Sequence, residues 1–134
     1  MIGAIVVTHN KLADGLIDAA EAIVGKIENV TSVSINKGDS TDEIRERIHD
    51  AIKGTDQGEG IIIFTDMFGG TPTNIALSFL SEGTVEVLTG VNLPILLKFL
   101  SNKEENSIAE LVRDLRECGR DSIVPASEML KQVE

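Results

Sequence analysis

The chain has 134 residues, 42% hydrophobic and 25% charged, which suits one domain with a buried core. With no Trp, no Tyr and only four Phe, that core is aliphatic. A net charge of −10, from 12 Lys and Arg against 22 Asp and Glu, argues against nucleic-acid binding, because holding phosphate backbones needs clustered cations.

The single cysteine, Cys118, forms no intrachain disulfide and suits a reducing compartment. No basic residue precedes the short apolar run at the N-terminus, which is unlike a signal peptide. The longest uncharged stretch, the 15 residues from Met67 to Ser81, is broken by Gly69-Gly70, Pro72 and Asn74 and is too short to cross a bilayer. A soluble, cytoplasmic protein is expected.

Ile2 to Thr8 is a continuous run rich in β-branched residues, the pattern of a strand buried on both faces. After His9-Asn10, Leu12, Leu16, Ala20, Ile23, Val24 and Ile27 recur at helical spacing. Val33 and Ile35 alternate with polar neighbours and mark a second strand. Ser40 and Glu43 form a capping box ahead of a helix whose buried stripe is Ile44, Ile48 and Ile52, with Gly54 as its stop. Gly60 to Asp66, "GIIIFTD", predicts a third strand. Thr71 is then expected as N-cap, with Pro72 at the first helical position. Thr84 to Thr89 predicts a fourth strand, and a helix follows through Ile95, Leu96, Phe99 and Leu100. Lys103-Glu104-Glu105 reads as a charged loop. A long helix carries Ile108, Leu111, Val112, Leu115 and Cys118, with Gly119 as its C-terminal signal and Cys118 as a small core residue. Ser122 to Val124 reads as a short last strand before a helical tail.

Strands alternating with helices predict a doubly wound α/β fold: a mostly parallel sheet of four strands with helices on both faces. In such sheets, ligands bind beyond the carboxyl ends of the strands, near the point where strand order reverses. His9 stands at that end of strand one, and Lys37-Gly38-Asp39 follows strand two. Asp66 and "MFGGTPTN" follow strand three, and Gly90-Val91-Asn92 follows strand four. If strands one and three are neighbours, His9 and Asp66 meet at the edge.

A carboxylate beside an imidazole accepts one ring N–H, fixes the tautomer and leaves the other nitrogen as a free lone pair. That nitrogen can serve as base, metal ligand or nucleophile. Gly69-Gly70-Thr71, at the entry to a helix, offers exposed amides and close approach to an anion. Taken singly, each feature has an ordinary explanation: a surface histidine, a turn aspartate, a Gly-Gly turn. Their shared edge is what favours chemistry, and an imidazole opposite a phosphate cradle suggests a phosphohistidine. His49 reads as a solvated helix-face residue, and with only two histidines a metal hydrolase is poorly supported. There is no G-x-x-x-x-G-K-[ST] loop for a nucleotide, and no acidic pair after strand one as in a receiver domain.

"IVVTHNKLADGL", "IIIFTDMFGGTPTNIA" and "VLTGVNLPIL", in that order from Met1 to about Leu100, resemble the IIA component of the mannose/fructose/sorbose-type phosphotransferase system. The resemblance implies that residues 1–134 are a single IIA domain. It implies a phosphotransferase that takes a phosphoryl group from the histidine-containing phosphocarrier protein and passes it to a separate IIB component, which serves membrane IIC and IID components. By position, His9 would become a tele-phosphohistidine through Nε2. Asp66 would hold Nδ1–H, and Gly69, Gly70 and Thr71 would line the phosphoryl site, with no metal or cofactor. A homodimer is also implied, in which a C-terminal strand, here Ser122–Val124 within about 120–134, adds antiparallel to the partner's sheet. Family members commonly have Gly after the active histidine, where this chain has Asn10, a residue that tolerates the left-handed conformation. Two alternatives share the phosphorylation: a regulatory module that senses relay flux, and the similar phosphotransfer subunit of dihydroxyacetone kinase. "GGTPTN" and "GVNLP" fit the sugar system better.

Overall fold

The structure is a computed structural model that describes residues 1–104 and 107–133. Four strands, β1 (Gly3–His9), β2 (Val30–Ile35), β3 (Ile61–Thr65) and β4 (Val85–Thr89), form one parallel sheet in the order β2-β1-β3-β4. The connecting helices are α1 (Leu12–Val24), α2 (Thr41–Thr55), the short α3 (Thr71–Ala76), α4 (Leu93–Asn102), α5 (Ile108–Asp121) and α6 (Ala126–Val133). The expected class and the pairing of strands one and three are both found.

Period-two alternation in the central strands divides the core. Ala4 and Val6 of β1 and Ile62 and Phe64 of β3 pack with α1, α4 and α5, where Phe64 meets Phe99 edge-on at 5.6 Å between ring centroids. Ile5, Val7, Ile61 and Ile63 point the other way, onto Ile44 and Ile48 of α2 and Ile75 of α3. From β1 the chain crosses by α1 on one face to β2, then returns by α2 on the opposite face to β3. Strand order therefore reverses between β1 and β3. The carboxyl ends of these two strands are His9 and Thr65, the latter followed at once by Asp66.

Several boundaries differ from expectation, each for a local reason. α1 buries Ala13 and Ala20 and half-buries Leu16 and Ile17, while Leu12 and Ile23 are exposed and Ile27 lies beyond the Gly25 cap. The buried face is thus one position round from the anticipated stripe. The capping box at Ser40 and Glu43 is present, but α2 runs through Gly54 to Thr55, with Asp56 as its C-cap. Gly119 is no terminator: α5 continues to Asp121, and a Cβ at Gly119 would sit 2.6 Å from Ile95 Cδ1. Its missing side chain lets α5 close on α4. Cys118 is only partly buried, with Sγ 3.7 Å from the Pro94 carbonyl. Ser122–Val124 is not a strand in the single chain but a turn and an unpaired stretch leading to α6. Lys103 and Glu104 form the expected turn, whereas Glu105 lies outside the described residues. Among the described residues no helix is long and apolar enough to cross a membrane.

Candidate functional site

β1 is buried from Ile2 through Thr8, and the first side chain to emerge is His9. The exit is fixed from both sides. Thr8, fully buried, accepts the Ala13 amide on Oγ1 at 2.8 Å and thereby satisfies one of the free amides in the first turn of α1, whose N-cap is Lys11. Asn10 donates its amide to the Ile35 carbonyl at 2.8 Å and takes φ of +50°, the left-handed conformation that Asn tolerates. The chain can therefore reverse into α1 immediately after the histidine.

Asp66 reaches His9 from the end of β3. One oxygen, Oδ2, accepts both the His9 amide at 3.0 Å and the ring Nδ1–H at 2.7 Å. Rotation about both χ angles of the histidine is limited by this double grip. Burial alone would raise the Asp66 pKa, but the hydrogen bonds from the His9 ring and backbone, with the ring's charge when protonated, outweigh it. The carboxyl stays below the ordinary carboxylate range. The other oxygen, Oδ1, is buried and has no hydrogen-bond partner among the described residues.

With Nδ1 committed to Asp66, Nε2 faces the loop after β3. Gly70 lies against that edge of the ring: a Cβ there would be 3.0 Å from His9 Cε1 and 3.5 Å from Nε2. Gly69 has φ of +89°, which glycine adopts without strain. The expected capping arrangement is corrected here. Gly70 is the N-cap, Thr71 begins α3 and Pro72 follows it, because Gly70 holds extended backbone and no side chain caps the helix. Thr71 is exposed, its hydroxyl is not spent on a cap, and it lines the same shallow depression as His9.

Some residues of this region escaped the sequence reading. Thr73 is fully buried; its hydroxyl bonds to Thr65 Oγ1 at 2.7 Å and donates to the Met67 carbonyl, tying the loop to β3. The second Thr of "TPT" was the available signal. Met67 and Phe68, in the loop after β3, and Leu12, at the start of α1, are exposed apolar side chains, Phe68 at 77% exposure. Among the described residues, no three His, Cys, Asp or Glu side chains cluster as a metal site. His49 is far along α2 and exposed, as expected of a solvated face.

Fold and site together define a doubly wound α/β domain whose ligand-binding edge presents a carboxylate-oriented imidazole. Residues 3–116 match the family described as PTS system fructose IIA component. The chain is 33% identical over 134 residues to the PTS system fructose-specific EIIA component of Bacillus subtilis, covering 99% of this chain and 92% of that one. It is 29% identical over 124 residues to the PTS system mannose-specific EIIAB component of Escherichia coli, of which it spans 38%. A crystal structure of phosphotransferase system component EIIA from Streptococcus agalactiae superposes with a TM-score of 0.87 at 26% identity, covering 96% of this chain and 99% of that one. The chain belongs to the fructose/mannose family of IIA components, and hence to the sugar phosphotransferase system.

Proposed function

We propose that this protein is the phosphoryl carrier between the histidine-containing phosphocarrier protein and a IIB component, with His9 as the phosphorylated residue. The observation that supports it most is the 2.7 Å hydrogen bond from Nδ1 to Asp66, which leaves Nε2 as the free nucleophile. In the transfer, the Nε2 lone pair forms a bond to phosphorus as the bond to the donor's ring nitrogen breaks, and that nitrogen keeps the electron pair. His9 becomes a tele-phosphohistidine whose ring gains positive charge, which Asp66 opposes through Nδ1–H. Gly70 leaves room beside Nε2 for the incoming group, while Gly69 and Thr71 line the approach. The exposed apolar side chains of Met67, Phe68 and Leu12, on the segments that follow β3 and β1, suit protein partners rather than a free sugar. Transfer to membrane IIC and IID components is then indirect, and the protein acts at the cytoplasmic face.

The same reading includes a homodimer in which Ser122–Val124 pairs with the sheet of a second copy. Ile123 is 77% exposed and β4 is an edge strand whose outer side is bridged at Val85 by Ser81, with the rest of the strand beyond that bridge, features that suit such an addition. Sedimentation showing a monomer at working concentration would remove this part.

The decisive experiment supplies phosphoenolpyruvate, enzyme I and the phosphocarrier protein, and compares wild type with His9→Ala by intact mass. One added phosphoryl group on wild type, absent from the folded variant, is expected. A folded wild type that takes none in an active relay overturns the carrier assignment.

A further inference from the structure

The depression beside His9 has a volume of about 330 Å³ and is lined also by Thr71 and by the turn that follows β2. That turn, Asn36-Lys37-Gly38-Asp39, is locked. The Asn36 carbonyl accepts the Asp39 amide at 3.1 Å, and Gly38 has φ of +95°. Asp39 Oδ2 accepts the Asn36 amide at 2.8 Å and Arg47 Nη2 at 2.6 Å, while Arg47 Nη1 donates to the Ser34 carbonyl at 2.6 Å. Lys37 is thus held at the tip of a braced turn.

Charge makes the placement informative. Of the residues lining the depression, Lys37 is the one permanent cation at neutral pH and Asp39 the one carboxylate. Asp39 is neutralised by Arg47, whereas among the described residues Lys37 forms no ion pair. Asp66 meets the ring on its Nδ1 side, away from Nε2. A phosphoryl group on Nε2 would add close to two negative charges to a chain already at −10, and Lys37 is the positively charged residue that lines the depression beside the ring.

We propose that Lys37 is a phosphoryl-binding residue whose ammonium pairs with the group carried on His9, raising the protein's capacity to hold it. The inference rests on the carrier reading, but the first part of its test needs no protein donor. The folded protein, in a His49→Gln background, is phosphorylated with potassium phosphoramidate, which transfers its phosphoryl group to the ring nitrogen and releases ammonia. Wild type, Lys37→Gln and Lys37→Arg are compared by ³¹P NMR across pH, and then by the equilibrium share of phosphoryl group between each variant and the phosphocarrier protein.

Removing the cation that pairs with the group is expected to shift that equilibrium about tenfold towards the donor and to raise the pH at which the phosphoryl group loses its last proton. Lys37→Arg restores both, because it keeps the charge. Unchanged equilibrium and ³¹P titration in Lys37→Gln overturn the assignment to the phosphoryl group. Slower transfer from the protein donor at an unchanged equilibrium also overturns it and assigns Lys37 to partner docking. A wild type that accepts phosphoryl from neither source removes the carrier reading itself, an outcome separate from the first two.

Discussion

Replacing Asp66 by Ala and by Asn separates two contributions that one carboxylate makes. Its Oδ2 accepts the His9 amide at 3.0 Å and Nδ1–H at 2.7 Å, and its Oδ1 is buried without a partner among the described residues. Asp66→Ala removes both acceptors. The ring regains rotamer freedom, a cost of roughly 0.5–1.5 kcal/mol when it must be ordered again for transfer. It also loses a hydrogen bond to a charged group, roughly 1.5–3 kcal/mol. Together these predict about 2–4.5 kcal/mol of lost transition-state stabilisation, or a rate lower by about 30- to 2,000-fold. Asp66→Asn can keep its oxygen where Oδ2 was, because the His9 backbone amide also demands an acceptor there. The tautomer then survives and only the charge is lost, so a fall of about tenfold is expected. The assay is the initial rate of His9 phosphorylation by the phosphocarrier protein, followed by intact mass, with ring ¹⁵N shifts reporting the tautomer. Because His9 and its amide lie at an exposed edge where water replaces lost partners, either variant should lose only about 1 kcal/mol of stability. If folded Asp66→Ala transfers at the wild-type rate, Asp66 does not orient the nucleophile.

Gly70→Ala is expected to fold normally, since Gly70 has φ of −96°, but its Cβ would meet the His9 ring at 3.0 Å. Displacing that edge should cost up to about 100-fold in transfer with little change in melting temperature, and an unchanged rate would show that the space beside Nε2 is unused. Gly119→Ala should destabilise by about 1 kcal/mol in urea unfolding, because crowding of Ile95 Cδ1 at 2.6 Å outweighs the gain in helix propensity. Gly15→Ala, on α1 with nothing within 4 Å, should do the reverse and stabilise. The Asp66 pKa is lower in the folded protein than its ordinary 3.8, so its stabilisation is present above that value and lost as pH falls through the folded one. The difference in unfolding free energy between wild type and Asp66→Asn should be flat above about pH 5 and shrink below about pH 4. A difference that grows on acidification would reverse the sign of the argument.

The class of fold and the identity of its chemical edge were determined by local sequence. Continuous runs rich in β-branched residues at Ile2–Thr8 and Gly60–Asp66 carry the two-sided burial of central parallel strands, and polar, glycine-rich segments follow each strand at its carboxyl end. His9, Asp66, Gly69, Gly70 and Thr71 were therefore legible as candidates, although their roles came from the resemblance to IIA components rather than from spacing. What local pattern could not decide was contact. A glycine that ends a helix and one that lets two helices approach look alike in a chain, so only the packing of Ile95 onto Gly119 distinguishes them. The exposed Leu12 and Ile23 satisfy helical periodicity as well as buried residues would, and the sheet's position chose the face that turned inward. Ser122–Val124 has the composition of a strand but no neighbouring strand in the single chain, and pairing is a property of two segments. Lys37 and Thr73 were ordinary polar residues until tertiary structure set one beside His9 and the other beneath its loop. Position in the chain named the histidine; the reversal of strand order between β1 and β3 supplied the carboxylate that orients it.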